Sequence, residues 1–160
     1  MVIPPKEDLK AELLRALSAD LETLERAMQA TREGATHEEA KPENDKDTRA
    51  LEQSYLARGQ ALRIEELKNG LAEVRDMVLR AFREGQPAAL GAVVRADEDG
   101  ASRVFFLAPH GGGATLAAGA VQVVTPRSPL GRALLGKQTG DDCEVPLAGR
   151  IRALSLVAVE

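Results

Sequence analysis

The sequence predicts an α+β protein, an N-terminal antiparallel two-helix coiled coil over residues 1–84 followed by a small α/β domain over residues 85–160. Three observations carry this. A long apolar stripe at helical spacing opens the chain, the formal negative charge is concentrated in the break that follows a first helix, and the pattern changes to short β-like runs after Gly85-Gln86-Pro87.

Leu9, Leu13, Leu17, Leu21, Leu24 and Met28 recur at steps of three and four residues, flanked by charged side chains, so they line one face of a single helix. Pro4 and Pro5 stand just before it, where proline is tolerated. Gly34 weakens the helix and Pro42 forbids a regular turn. A second helical pattern runs from about Asp45 to Glu84, with Leu51, Tyr55, Leu62, Leu67, Leu71, Val74 and Val78 as its stripe. Joined by a connector of about ten residues, the two helices should pair antiparallel. At 1.5 Å per residue, about 35 helical residues make a rod on the order of 50 Å, with the connector, about 35–47, as its far end.

Residues 1–84 hold 18 acidic and 14 basic side chains, whereas residues 85–160 hold 7 of each. Glu33 to Asp47 alone carries 6 acidic against 2 basic, which equals the whole net charge of −4. A nucleic-acid-binding domain shows the opposite, a basic footprint, so stable binding to free DNA or RNA is not expected. No apolar run is long enough to span a bilayer, and the MVIPPKEDLK opening lacks a secretory apolar stretch. With Cys143 as the sole cysteine, no internal disulfide framework exists, and a cytoplasmic protein is expected.

In the second segment, Ala89–Val94 and Val104–Leu107 read as strands separated by the turn Asp97-Glu98-Asp99-Gly100, and Val121–Thr125 as a third. Ser128 is placed to cap a short helix, Pro129 to Leu135, that Gly136 ends. Glu144–Leu147 and Ile151–Val159 supply further strands.

The run Val124-Thr125-Pro126-Arg127-Ser128-Pro129-Leu130-Gly131-Arg132-Ala133-Leu134-Leu135-Gly136-Lys137-Gln138-Thr139-Gly140-Asp141 strongly resembles the C-terminal signature of the Gre-type transcription elongation factors, ungapped over its length. Read physically, the motif is structural. Ser128 caps, Pro129 presets the first turn, Gly131 permits close packing, the leucines bury, and Arg132 and Lys137 remain as candidate polymerase contacts.

The resemblance implies an FKBP-like C-terminal domain, bacterial RNA polymerase as partner, and a coiled coil that enters the polymerase's secondary channel as part of a monomer. In that family, tip carboxylates help hold a Mg2+ shared with the polymerase while it cleaves backtracked transcripts. The chain would then be no enzyme itself but a modulator of one. The tip candidates are Glu39, Glu43, Asp45 and Asp47, with Glu43 and Asp47 as metal ligands. Glu43-Asn44 matches the family's tip, but Ala40 stands where the family has an Asp. The run Glu39 to Arg49 resembles a divergent Gre-like subgroup more closely. Two readings follow: a rearranged acidic cluster that still recruits Mg2+, or a channel-binding regulator or inhibitor without cleavage.

Other motifs imply less. Gly131 to Gln138 nearly spells a phosphate-binding loop, but Gln138 replaces the hydroxyl that would hold Mg2+. Prolyl isomerase activity needs an aromatic pocket, whereas Phe105 and Phe106, adjacent in one strand, must point to opposite faces. His37, His110 and Cys143 show no metal or catalytic spacing.

Overall fold

The computed structural model describes the backbone of residues 2–39 and 46–160, and the side chains of 2–34 and 48–160. Helix α1 spans Lys6–Glu39 and α2 spans Lys46–Asp76. They are followed by strands β1 (Val93–Glu98), β2 (Ala101–Leu107), β3 (Thr115–Leu116) and β4 (Val121–Val124), helix α3 (Pro129–Leu134), and strands β5 (Asp142–Leu147) and β6 (Arg150–Val159). Neighbouring residues group into two compact units, Met1–Arg15 with Ala72–Glu160, and Ala16–Leu71.

In the larger unit the strands form one mixed sheet of order β3-β4-β2-β1-β6-β5. All neighbours pair antiparallel except β2 and β4, which run parallel. Two hairpin turns share one mechanism. Asp99 and Gly100 both take positive φ (53° and 79°), as do Ala148 and Gly149 (49° and 76°), which two-residue turns between right-twisted strands require. Asp97 and Glu98, expected in the first turn, lie in β1 instead. They pair with Ser102 and Ala101, and the Asp97 Oδ1 accepts the Gly100 N–H at 2.9 Å.

One sheet face and α3 enclose the core. Val94, Ala96, Phe105, Leu107, Val124, Val145, Leu154 and Leu156 meet Leu130 and Leu134, with Phe82 and Leu135 packed at the margin. The opposite face buries Val93, Phe106, Val121 and Val123. Phe105 (1 % exposed) and Phe106 (0 %) thus serve different faces of β2, and both are sealed. Where β1 pairs with β6 the register slips between Arg95 and Ala96, opposite Ala158 and Leu156. The extra residue, Val157, is left exposed, as a β-bulge leaves its unpaired position.

The sequence places the end of the second helix near Glu84 and the first strand at Ala89–Val94, and both are corrected. Helix α2 stops at Asp76, although residues 77–84 contain no breaker. Burial of Met77 and insertion of Phe82 beside the core draw the segment out of the helix, tertiary packing overriding propensity. Lys10 Nζ caps the exit by donating to the Arg75 and Met77 carbonyls, both at 2.8 Å, and Lys6 donates to that of Arg80. The Lys10 cation at the helix C-terminus satisfies an orphan carbonyl and opposes the helix dipole, while Lys6 ties down the segment that follows. Beyond it, Gly91 (φ 91°) brings the chain so close to Val78 that a Cβ would lie 2.9 Å from the Val78 carbonyl oxygen. Strand β1 therefore starts only at Val93.

In the smaller unit the two helices run antiparallel. Lys68 Nζ lies 3.8 Å from a Glu25 carboxylate oxygen, and the Gln60 amide donates to the Thr31 hydroxyl at 3.3 Å. The first helix's stripe is where the sequence puts it, with Leu17 buried and Leu21, Leu24 and Met28 half-buried. The second helix's stripe is only partly so. Leu67 and Leu71 are buried, but Leu51, Tyr55 and Leu62 are 51 %, 62 % and 60 % exposed. The inward positions are Gln53, Ala57, Gln60, Ile64, Leu67 and Leu71, at alternating steps of four and three, a heptad seam. Counting large apolar residues selected the wrong face over residues 51–62, because the seam there is built from glutamine and alanine.

Candidate functional site

The motif from Val124 to Asp141 folds as its residue types dictate. Ser128 (φ −83°, ψ 151°) is the N-cap of α3, and its Oγ accepts the Gly131 N–H at 3.0 Å while donating to the Thr125 carbonyl at 3.0 Å. Pro129 begins the helix, and Leu130 and Leu134 enter the core. Gly131 is packed tightly: a Cβ there would stand 1.8 Å from the Thr125 carbonyl oxygen. Gly136 (φ 81°) reverses the chain, its N–H donating to the Ala88 carbonyl, and the Ala88 N–H returns to the Lys137 carbonyl at 2.8 Å. At the far end, the Gly140 N–H donates to the Leu156 carbonyl, and the Leu156 N–H to the Asp141 carbonyl. The motif thereby ties the linker, α3 and β6 together.

The near-match to a phosphate-binding loop is closed by this geometry. Three of the four residues between its glycines, Arg132 to Leu134, are helix, and the Gly131 N–H is already used by Ser128. Of the two candidate contact residues, Arg132 is exposed and its guanidinium donates to the Arg127 carbonyl at 2.7 Å, which ties α3 to the residue before its cap. Lys137 is half-buried at the helix exit. Burial pushes the nearby Cys143 thiol up from its ordinary range, so it is an unreactive core residue. His110 lies in the turn region before Gly111.

Sequence reasoning did not single out two carboxylate contacts, those of Glu12 and Glu98. Glu12 of α1 accepts the Ala117 N–H with both carboxylate oxygens, at 3.0 and 3.2 Å. Ala117, Ala118 and Gly119 all have positive φ (51°, 55° and 92°), an unusual run for alanine, and the Glu12 carboxylate is seated on it. On the sheet, Glu98 lies between two guanidiniums. Arg152 meets it bidentately, Nη2 to Oε2 at 2.8 Å, and Arg103 Nε lies 3.3 Å from Oε2. The Arg152 hydrogen bonds hold the Glu98 carboxyl below the usual range. No local spacing signals either contact, since the partners are 105 and 54 residues apart.

The tip candidates fall largely beyond what can be described. Glu43 and Asp45 lie outside the described residues, and Glu39 and Asp47 are placed only by backbone, as the last residue of α1 and the second of α2. Among the described residues, no three His, Cys, Asp or Glu side chains stand together as a metal site. None of the described helices is long and apolar enough to cross a membrane.

No family model matches the chain, and no curated protein does. Among solved structures, the chain is similar to the GreA factor homolog 1 (Gfh1) protein of Thermus thermophilus, with 20 % identity, 92 % of this chain and 94 % of that one covered, and a TM-score of 0.41. It is similar also to Gfh1 of Thermus aquaticus, at 20 % identity, 91 % and 92 % coverage and a TM-score of 0.41. The prokaryotic transcription elongation factor GreA/GreB from Nitrosomonas europaea matches at 18 % identity, covering 58 % of this chain and 77 % of that one, with a TM-score of 0.38.

Proposed function

We propose that the chain is a divergent Gre-type regulator of bacterial RNA polymerase. It would enter the secondary channel with its helical hairpin and stimulate cleavage of backtracked transcripts. The observation that carries this reading is the 18-residue run from Val124 to Asp141, in which the cap, the helix start, the close-packed glycine and the helix stop of the family signature each have a structural task. The paired helices support it, since α1 alone, at 34 residues, measures about 51 Å. On this reading the sheet domain is FKBP-like, Arg132 and Lys137 are candidate contacts on it, and the protein is a cytoplasmic monomer with no catalytic residues of its own.

The carboxylates that would hold a shared Mg2+ are Glu43 and Asp47, with Glu39 and Asp45 beside them in sequence. Carboxylate oxygens are hard donors suited to that ion, which when bound supplies charge stabilisation for in-line attack on phosphate. The chain's own contribution is to deliver and orient these groups and a water.

One observation favours a second reading, a channel-binding regulator without cleavage: Ala40 occupies the place of the family's tip Asp. Adding the protein to a stalled, backtracked elongation complex and following transcript length decides between them. Shortening supports the first reading, and Glu43→Ala and Asp47→Ala should then be defective while still competing for the channel. Binding with no shortening leaves only the second, and no binding to core polymerase removes both.

A further inference from the structure

The hairpin seam changes chemistry along its length. From Leu17, Leu21 and Leu24 against Ile64, Leu67 and Leu71, its inward positions are aliphatic. Thr31 then faces Gln60, and the next inward positions on α2 are Ala57 and Gln53. Gln60 donates to Thr31 at 3.3 Å, a long bond, and its Oε1 is buried without a partner among the described residues. Beyond Met28, the only apolar residues in the sequence of α1 are Ala30, Gly34 and Ala35. Meanwhile Leu51, Tyr55 and Leu62 of α2 are turned to the opposite side, where α1 cannot cover them.

Helices of this kind are held by the apolar face they bury rather than by propensity. A buried amide with an unmet acceptor subtracts from that, and Gly59, next to Gln60, lowers it further. The last large apolar contributors are Met28 and Ile64, so the change is a step at one turn of the hairpin, not a gradual decline.

We infer that the hairpin is two cooperative units in series: a leucine-cemented base and an outer segment, residues 30–34 with 50–60, that opens on its own while the base stays folded. Gln60 is the residue that sets the boundary. Independent opening of contiguous segments is a general property of proteins where buried apolar contact is low. This inference does not depend on the polymerase reading, and it says that any partner gripping the outer segment would suppress this opening.

The test is native-state hydrogen exchange on the full chain. Amides of residues 50–60 should exchange with one common opening equilibrium, about 100-fold less protected than those of residues 64–71. Replacing the polar pair, Thr31→Leu with Gln60→Leu, should raise protection across 50–60 about tenfold and leave 64–71 unchanged. Gln60→Glu alone, which places a charge in the same seam, should lower protection over the same block. Equal protection along α2, a residue-by-residue decline without a step, or no response of the block to the Leu pair would each overturn the inference.

Discussion

Gly131→Ala tests how the signature motif works. A Cβ at this position would lie 1.8 Å from the Thr125 carbonyl oxygen, 2.6 Å from its carbon and 3.1 Å from the Ser128 Oγ. The obstacle is backbone, so no side-chain rotation relieves it; Thr125 or the first turn of α3 must move by more than 1 Å to restore ordinary contact of roughly 3.2–3.5 Å. Overpacking of this sort costs about 1–3 kcal/mol. Moving Thr125 also strains the bonds that its carbonyl accepts from the Ser128 N–H and Oγ, each contributing roughly 1 kcal/mol. A total loss of about 3 kcal/mol is expected, lowering the unfolding midpoint by on the order of 10–20 °C. Scanning calorimetry is the suitable assay, since the chain's one Tyr is Tyr55, in the other unit, and it has no Trp. A variant within 0.5 kcal/mol of wild type would refute the reasoning that this glycine exists for close approach.

Other consequences are smaller in scope. Gly59→Ala, at a helical site with open space around a Cβ, should stabilise the hairpin by about 0.5–1 kcal/mol in thermal unfolding; destabilisation would mean the site is not regular helix. Glu12→Ala removes the carboxylate from the Ala117 N–H and should cost the larger unit about 1.5–3 kcal/mol, whereas no change would show the left-handed turn to be self-supporting. Because the folded Glu98 carboxyl sits below its ordinary 4.5, its stabilising effect is complete above that pH and is lost as pH falls through the depressed value. Glu98→Gln should therefore flatten the decline of stability below about pH 4.5, and an unchanged acid limb would show the Arg152 pair to be without effect.

What the sequence made legible followed from local rules. The first helix's stripe, the Ser128 cap, the Pro129 start and the Gly136 stop are each decided by neighbours within one turn, and the structure has them there. What escaped depended on distant partners. The second helix's inward face was misread because Leu51, Tyr55 and Leu62 are larger than the Gln53, Ala57 and Gln60 that actually face α1. Its end was misplaced because Phe82 is pulled toward a core formed by strands that come later in the chain. Strand β3, two residues long, has no periodicity to detect. The motif of the candidate site was readable as a whole, while the seat of Glu12 on Ala117 was not, since nothing local foretells a left-handed alanine.

The proposed function turns most directly on where the hairpin goes. A photo-crosslinker placed at Thr48, an exposed residue in the first turn of α2, reports what surrounds that end when the protein is mixed with core RNA polymerase. The account predicts a crosslink to the polymerase subunit that holds the catalytic Mg2+, at a site inside the secondary channel. Crosslinks confined to the polymerase's outer surface, or none at saturating concentration, would contradict it.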